Sequence, residues 1–418
     1  MKNFLKRSVP IFMALAALQS TAAMASDEIY SLLPNNALSG VISPTMQDRA
    51  SIDKAWPKKP ADPNHLKIGW TEITMGAPWF VGLDHGVKRM QAKYGLDISM
   101  VVADGNLHTQ CSQIDDFITR KMDIIVVDPT DVLGVVECIN RAVSAGIPVI
   151  TVGTVPDSNS RVITTITANP YATGFAVGQY VAKDAGKDKQ IVAAAIIGVI
   201  GNSTSESRVN GMISGIIYER SIQRGKPLSR PEAMLRGFHL FETLKKSGKM
   251  NDPDSLLKVV ALAEGHWNKE GGLSAAEDIL SAHGDELNYF LTDNDSMGLG
   301  ALHAIKDIGK AGQIRIASPA DGTKEAMAQV KAGKLLVTGM ASGDETGAAA
   351  VELIHNLFTG KVDGTNLPMG SYFPVGLITK QSVDADSDPN PDNIFYKYDI
   401  PAVKTIPEIK AALSAETK

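Results

Sequence analysis

Only two cysteines, Cys111 and Cys138, occur in 418 residues, which leaves one possible disulfide and no framework of them. No run after the N-terminus approaches the ~20 apolar residues needed to cross a bilayer. Basic clusters are also missing: 41 Lys and Arg stand against 46 Asp and Glu, for a formal net charge of −5. That balance argues against a nucleic-acid partner. The eight histidines are scattered, none with a partner at a metal-ligand spacing such as H-x-x-x-H. Gly298-Leu299-Gly300 lacks the GxGxxG spacing and falls inside a predicted helix. The serines between Gly198 and Arg208 form no Gly-x-Ser-x-Gly elbow, and no Walker lysine accompanies them. Without a nucleophile and base, a metal cluster or a cofactor motif, the expectation is that the chain is not an enzyme and binds neither metal nor cofactor.

What is present begins at the N-terminus. Lys2, Lys6 and Arg7 precede an apolar run from Val9 to Leu18, followed by Ala23-Met24-Ala25. A charged start, a short apolar core and a small-x-small site read as a secretory signal peptide, residues 1–25, with cleavage after Ala25. Removing it takes away three positive charges, so 38 basic against 46 acidic residues leave −8. The mature chain is expected to be exported, soluble and periplasmic. Cys111 and Cys138 fall on what read as consecutive helices, and in an oxidising compartment they are candidates to pair. The sequence leaves open the Cα separation that pairing requires.

From residue 65 onwards short β-rich runs alternate with helical patterns of 10–16 residues, the signature of βαβ units and parallel sheets. Ten strands are predicted, from Lys67–Thr71 to Leu335–Met340, and nine helices, from Trp79–Tyr94 to Glu345–Phe358. Ten strands are too many for one small sheet. The expected fold class is therefore α/β, with two doubly wound, Rossmann-like parallel-sheet lobes. Residues 26–64, rich in Pro and Asn, read as an N-terminal arm, and 219–256 as an insertion holding a helix that starts at Ser229/Pro231. Residues 384–418 read as a turn-rich linker and C-terminal tail.

The most informative stretch is Ile68-Gly-Trp-Thr-Glu-Ile-Thr-Met-Gly-Ala-Pro-Trp79-Phe80. A strand runs into a Gly-Pro turn that carries two adjacent aromatic rings into a helix. Ligands of open parallel sheets bind outside the carboxyl ends of strands, and flat apolar rings there suit the C–H face of a sugar ring. The same two residues also fit the core face of a helix continuing through Leu83, Val87, Met90 and Tyr94.

From Leu66 to about Lys380 the order of motifs resembles the bacterial periplasmic sugar-binding proteins of the ribose-binding type. The resemblance rests on Pro78-Trp79-Phe80, Val127-Asp128-Pro129-Thr130-Asp131, Ala145-Gly146-Ile147-Pro148-Val149-Ile150-Thr151, the stretch from Asn294 to Leu302, and Ala320-Asp321-Gly322-Thr323. It implies lobes of residues 65–167 plus 342–374 and 168–341 plus 375–383, joined by a three-crossing hinge with the ligand cleft between them. It also implies a ligand set. Trp79 and Phe80 match the stacking aromatics, and Trp267 falls where the second lobe supplies a ring for the opposite face. Arg208 matches a ligand-gripping arginine whose planar fork suits vicinal hydroxyls. Asn294 offers a donor and an acceptor, with Asp295 read as the cap of the next helix. Asp321 accepts from hydroxyls, Asp128 stands where the ribose binders place an amide, and Asp131 reads as a cap.

Departures from the family pattern are equally specific. Gly153-Thr154 replaces an Asp-Arg pair, with Thr154 kept in the expected ligand set, while Ala77 and Ala341 replace amides. A buried polar group without its partner costs about 1–3 kcal/mol, so three missing partners argue against ribose in the family's pose. One end of the pocket is expected to be wider and less polar. The resemblance implies a monomeric periplasmic receptor that closes on a small neutral sugar or polyol and delivers it to the membrane permease of an ABC importer. The alternative is a periplasmic sensor signalling to a membrane histidine kinase or chemoreceptor. A small cation held by Asp128, Asp321 and two tryptophans is opposed by Arg208. The effector domain of a repressor is excluded by the signal peptide and the acidic balance.

Overall fold

A computed structural model describes residues 65–383 except Ser158, Thr365, Asn366, Pro368, Met369, Pro374 and Val375, together with Ile52, Ala55 and Pro63. The expected signal peptide, most of the arm and the tail lie outside the described residues.

The first sheet holds β1 (Lys67–Glu72), β2 (Asp97–Val102), β3 (Ile124–Val127), β4 (Val149–Val152), β5 (Thr165–Ala168) and β12 (Gly370–Phe373). Their order is β12-β5-β4-β3-β1-β2, and every pair is parallel. The second sheet holds β6 (Ile191–Ile197), β7 (Met250–Asp252), β8 (Leu257–Glu264), β9 (Tyr289–Thr292), β10 (Arg315–Ser318), β11 (Val337–Gly339) and β13 (Leu377–Thr379). Its order is β13-β11-β10-β9-β6-β8-β7, parallel except at the two edge strands. Strands β3, β4, β6 and β9 are buried along their whole length, as strands covered by helices on both faces must be.

The covering helices are α1 (Pro78–Tyr94), α2 (Leu107–Thr119), α3 (Val136–Ser144), α4 (Pro170–Ala185), α5 (Ser203–Gln223), α6 (Arg230–Ser247), α7 (Lys269–His283), α8 (Asp295–Asp307), α9 (Lys324–Lys331) and α10 (Gly343–Thr359). The chain leaves the first sheet after β5 and returns to pack α10 against α1. It then crosses once more between β12 and β13. The sheets thus face each other through three chain passages.

Local chemistry explains most boundaries. Ser229 caps α6 through a full capping box with Glu232, and a proline stands at its first turn. α6 packs on α5 and on the short edge strand β7. Helix α3 starts three residues later than its periodicity predicts, because Asp131 Oδ1 first accepts the Leu133 and Gly134 amides in a turn. Among the described residues thirteen strands occur rather than ten. The three that were missed, β7, β12 and β13, are only 3, 4 and 3 residues long, too short for a period-2 signal. Cys111 and Cys138 form a disulfide between α2 and α3, with Cα atoms 5.4 Å apart.

Candidate functional site

The carboxyl ends of β1, β3 and β4 face those of β6, β8, β9 and β10 across a cavity lined from both sheets. All eight residues singled out from sequence, Trp79, Phe80, Asp128, Thr154, Arg208, Trp267, Asn294 and Asp321, stand on its wall.

Trp79 enters from the first turn of α1 and is half-buried. Its indole N–H donates to Ala341 O at 2.9 Å, on the passage between β11 and α10. Phe80 meets it edge-on, centroids 5.2 Å apart and planes at 87°. Both sequence readings of this pair hold in part: Phe80, Leu83, Val87 and Met90 form the buried face of α1, while Trp79 is turned towards the opposite lobe.

Trp267 comes from the loop after β8. His266 and Trp267 adopt φ of 50° and 56°, a left-handed pair of non-glycine residues that costs on the order of 1–3 kcal/mol each and persists only where the surroundings enforce it. The enforcement is visible. Gly265 N and His266 N donate to Ile197 O and Gly198 O, and Asn294 Nδ2 donates to Trp267 O at 3.0 Å. A Cβ at Gly198 would collide with the indole nitrogen.

Below Trp267 lies a polar group that sequence reasoning missed. Asp293, fully buried at the end of β9, accepts from Gly198 N at 3.0 Å and hydrogen-bonds Ser205 and the Trp267 indole. Burial pushes its carboxyl up to about 6, against the opposing pull of the Arg208 charge. Arg208, two turns into α5, donates to Asp293 O at 3.2 Å and leaves Nε without a partner. The only sequence signal for Asp293 was its place at the end of a strand beside Asn294.

The helix cap expected of Asp295 is made by Asn294 instead. Asn294 is the N-cap of α8, accepting from Met297 N at 3.0 Å while its amide holds Trp267 O. Each end of its side chain makes one bond within the protein, which uses one of two N–H donors and one of two acceptor positions, and the residue lines the cavity. Asp295 is buried and accepts from Thr323 N at 2.8 Å and from Thr338 Oγ1. Asp321, after β10, has Oδ2 unpartnered. Burial pushes it up to about 8, with the Arg208 charge opposing and Asp295 and Asp293 adding to the rise.

On the first lobe Asp128, at the end of β3, is buried and hydrogen-bonds Thr154 and a second residue missed from sequence, Glu72. Its Oδ1 has no partner. Gly153 has φ 66°, and a Cβ there would stand 2.7 Å from Asp128 Oδ2 and 3.0 Å from Trp79 Cη2. This corrects the expectation of a wider end: the space next to Gly153 is held by the Asp128 carboxyl and the Trp79 ring. The start of α5 reaches across to the same loop. Ser203 Oγ donates to Val155 O at 2.6 Å, Thr204 Oγ1 to Gly153 O at 2.9 Å, and Asn202 Nδ2 to Thr154 Oγ1 at 3.4 Å.

Two facing α/β lobes with a cavity at their strand ends recur in known proteins, and residues 68–362 match the periplasmic binding protein domain family. The chain belongs to that family. The ribose import binding protein RbsB of Bacillus subtilis (strain 168) is 26% identical over 307 residues, covering 73% of this chain and 86% of that protein. Two solved structures share the fold. An ABC transporter periplasmic solute-binding protein from Actinobacillus succinogenes 130z with bound D-allose gives a TM-score of 0.62 at 21% identity, over 77% of this chain and 100% of that one. An ABC transporter solute-binding protein from Bacillus halodurans C-125 with bound myo-inositol gives 0.62 at 22%, over 78% and 98%. The periplasmic binding protein fold thus accounts for both lobes and for the cavity between them. Among the described residues no helix is long and apolar enough to cross a membrane, and no group of His, Cys, Asp or Glu is arranged to hold a metal ion.

Proposed function

We propose that the protein is a periplasmic receptor that closes on one small neutral sugar or polyol and delivers it to an ABC importer. The observation that carries this reading is a single cavity with an indole from each lobe and three buried polar atoms lacking partners, Asp128 Oδ1, Arg208 Nε and Asp321 Oδ2. A buried polar atom without a partner costs about 1–3 kcal/mol. Hydroxyl groups, which donate and accept, satisfy two acceptors and one donor at once, while Trp79 and Trp267 cover the C–H faces of a ring. Thr154 and Phe80 complete the wall on the first lobe.

The chain passages around 168–170, around 340–342 and between β12 and β13 are the hinge in this reading, with lobes of 65–167 plus 342–374 and 168–341 plus 375–383. Closure then brings Arg208 and Trp267 onto a ligand already resting against Trp79 and Asp128. Because Gly153, Ala77 and Ala341 present no hydrogen-bonding side chains, a deoxy or methyl-bearing sugar, or a polyol, fits better than ribose. The chemistry is recognition without bond-making, so the protein is no enzyme. Titration calorimetry against D-ribose, D-allose, xylitol and myo-inositol tests the reading. Heat with a polyol or hexose and silence with ribose support it; sub-micromolar ribose binding would overturn the ligand class.

A further inference from the structure

Just past the end of β3, Asp128 N still donates to Thr71 O of β1 at 3.0 Å. The next residue is Pro129, which has no N–H to give, so the ladder stops and the turn that carries Asp128 needs another anchor. Gln110 supplies it. From the first half of α2 its buried carboxamide donates through Nε2 to Asp128 O at 2.8 Å and accepts through Oε1 from Thr130 N at 2.9 Å. Nε2 also reaches Thr71 Oγ1 at 3.5 Å. A carbonyl only accepts and a backbone N–H only donates, so the turn demands a donor and an acceptor on one planar group, which an amide has and a carboxylate lacks. We propose that Gln110 is a positioning residue for ligand recognition: it sets the Asp128–Thr130 turn, and with it the place of the Asp128 side chain on the cavity wall. The inference rests on the sugar or polyol reading of the cavity.

Gln110 can hold the turn because it is itself held. Asn106 caps α2 by accepting from Thr109 N at 2.9 Å. One residue after Gln110, Cys111 ties α2 to α3 through its disulfide with Cys138. Thr71 Oγ1 donates to Gln113 Oε1 at 2.6 Å, and Gln113 Nε2 donates on to Val102 O at 2.8 Å. Residues three apart on a helix share a face, so Gln110 and Gln113 together fasten one face of α2 to β1, β2 and the end of β3. Beyond Thr130 the chain is fixed differently, by Asp131 Oδ1 accepting from Leu133 N and Gly134 N. Gln110 therefore bridges the gap between the strand and that next turn. A satisfied buried polar network is rigid, and removing one member leaves its partners unpaired. Gln110 stands outside the cavity wall, so a change there reaches a ligand through the turn it holds, and Asp128 is the residue of that turn on the wall.

Two measurements test this on the full mature chain. The first is a double-mutant cycle read by calorimetry with D-allose and with myo-inositol. Gln110→Met keeps the reach of the side chain and removes its hydrogen bonds, while Gln110→Glu keeps an acceptor for Thr130 N and loses the donor to Asp128 O. Each should weaken binding by about tenfold, the low end of the roughly 10–100-fold lost with the outer partners of bound metals. In an Asp128→Ala background each should leave affinity unchanged, because the side chain that Gln110 places is gone. Parent-like affinity in either folded variant would overturn the proposal. An equal loss with and without the Asp128 side chain would overturn it too, since that is what a merely structural residue gives. The second measurement is nuclear magnetic resonance of ligand-free protein. Both Gln110 variants should shift the Thr130 amide and the Asp128 carboxyl carbon and leave the Asp321 carboxyl carbon in place. An Asp128 carboxyl that does not move refutes the positioning role. If neither probe binds the parent, the sugar reading fails; in that case, or where Asp128→Ala abolishes binding, the ligand-free spectra still decide what Gln110 does.

Discussion

Replacing Gly153 with alanine tests how this cavity is built. Gly153 sits at φ 66°, where a side chain costs about 1–2 kcal/mol. Its new Cβ would also stand 2.7 Å from Asp128 Oδ2, 3.0 Å from Trp79 Cη2 and 3.1 Å from Asp128 Cγ. Overpacking of that kind typically costs another 1–3 kcal/mol, so Gly153→Ala should destabilise the protein by about 2–5 kcal/mol. Gly146→Ala is the internal control: its φ of 87° imposes comparable strain, and nothing lies within 4 Å of its Cβ. Urea denaturation of the parent and both variants separates the two contributions. Ligand affinity should drop only in Gly153→Ala, because only there does the new methyl displace Trp79 and the Asp128 carboxyl. Equal destabilisation by the two substitutions, or unaltered sugar affinity in folded Gly153→Ala, would refute the claim that Asp128 and Trp79 fill this corner.

Trp267→Ala should weaken binding by about 1–3 kcal/mol, by analogy with base stacking on an aromatic face, and should abolish any ligand-induced change in tryptophan fluorescence from that ring. Unchanged affinity removes Trp267 from the site. Arg208→Lys should bind markedly more weakly, since a point charge cannot both hold Asp293 O and offer a second in-plane donor; parent-like affinity by calorimetry would sink the role of Nε. Asp321 has its folded-state value raised to about 8 from an ordinary 3.8, so its contribution to stability is complete below about pH 4 and is lost as pH rises towards 8. The loss is at most about 1.4 kcal/mol per pH unit, and Asp321→Asn should flatten it between pH 6 and 8, where Asp293, at about 6, has already titrated. A parent whose stability climbs over that range would contradict the assignment. Reduction of Cys111–Cys138 frees a loop with a sequence separation of 27, and loop-closure entropy puts the loss near 3.5 kcal/mol, to be read as a lowered denaturation midpoint.

The fold was legible because both of its signals are periodic and local. Buried strands such as Ile124–Val127 read as unbroken apolar runs, and helices such as Pro78–Tyr94 announce themselves by a proline start and a core face repeating every three to four residues. Strands β12 and β13 were illegible for the opposite reason: each is a few residues long, and its partner lies some 200 and 40 residues earlier in the chain. The cavity wall was legible where a single conspicuous residue marks its motif, as with Trp79 in the first turn of α1, Arg208 within α5 and Asp321 after β10, all of which line the cavity. Where neighbours compete for a job, order along the chain does not decide. Asn294 took the helix cap and Asp295 the Thr323 and Thr338 contacts because the amide can also donate to Trp267 O, which a carboxylate cannot. Glu72 and Asp293 were missed because Asp128, beside the first, and Ser205 and Arg208, beside the second, lie more than fifty positions away and are brought close only by the assembled fold.

The loop from Gly153 to Val155 joins these observations. The family pattern there is a pair of long charged side chains, whereas in this chain the loop offers backbone carbonyls and one hydroxyl. Three residues at the start of α5 take them up: Asn202, Ser203 and Thr204 reach from the second lobe to Thr154, Val155 and Gly153. In the proposed hinge reading these bonds form on closure, and each is worth about 0.5–1.5 kcal/mol net. They favour the closed arrangement whatever ligand lies between the lobes. A ligand shifts the open–closed balance only by its differential affinity for the two states, so a ligand that makes fewer hydrogen bonds can still hold this cleft shut. The substitutions that remove polar contacts from the cavity wall and the hydrogen bonds that tie the lobes directly thus belong to one design, in which part of the closing free energy has moved from the ligand to the protein.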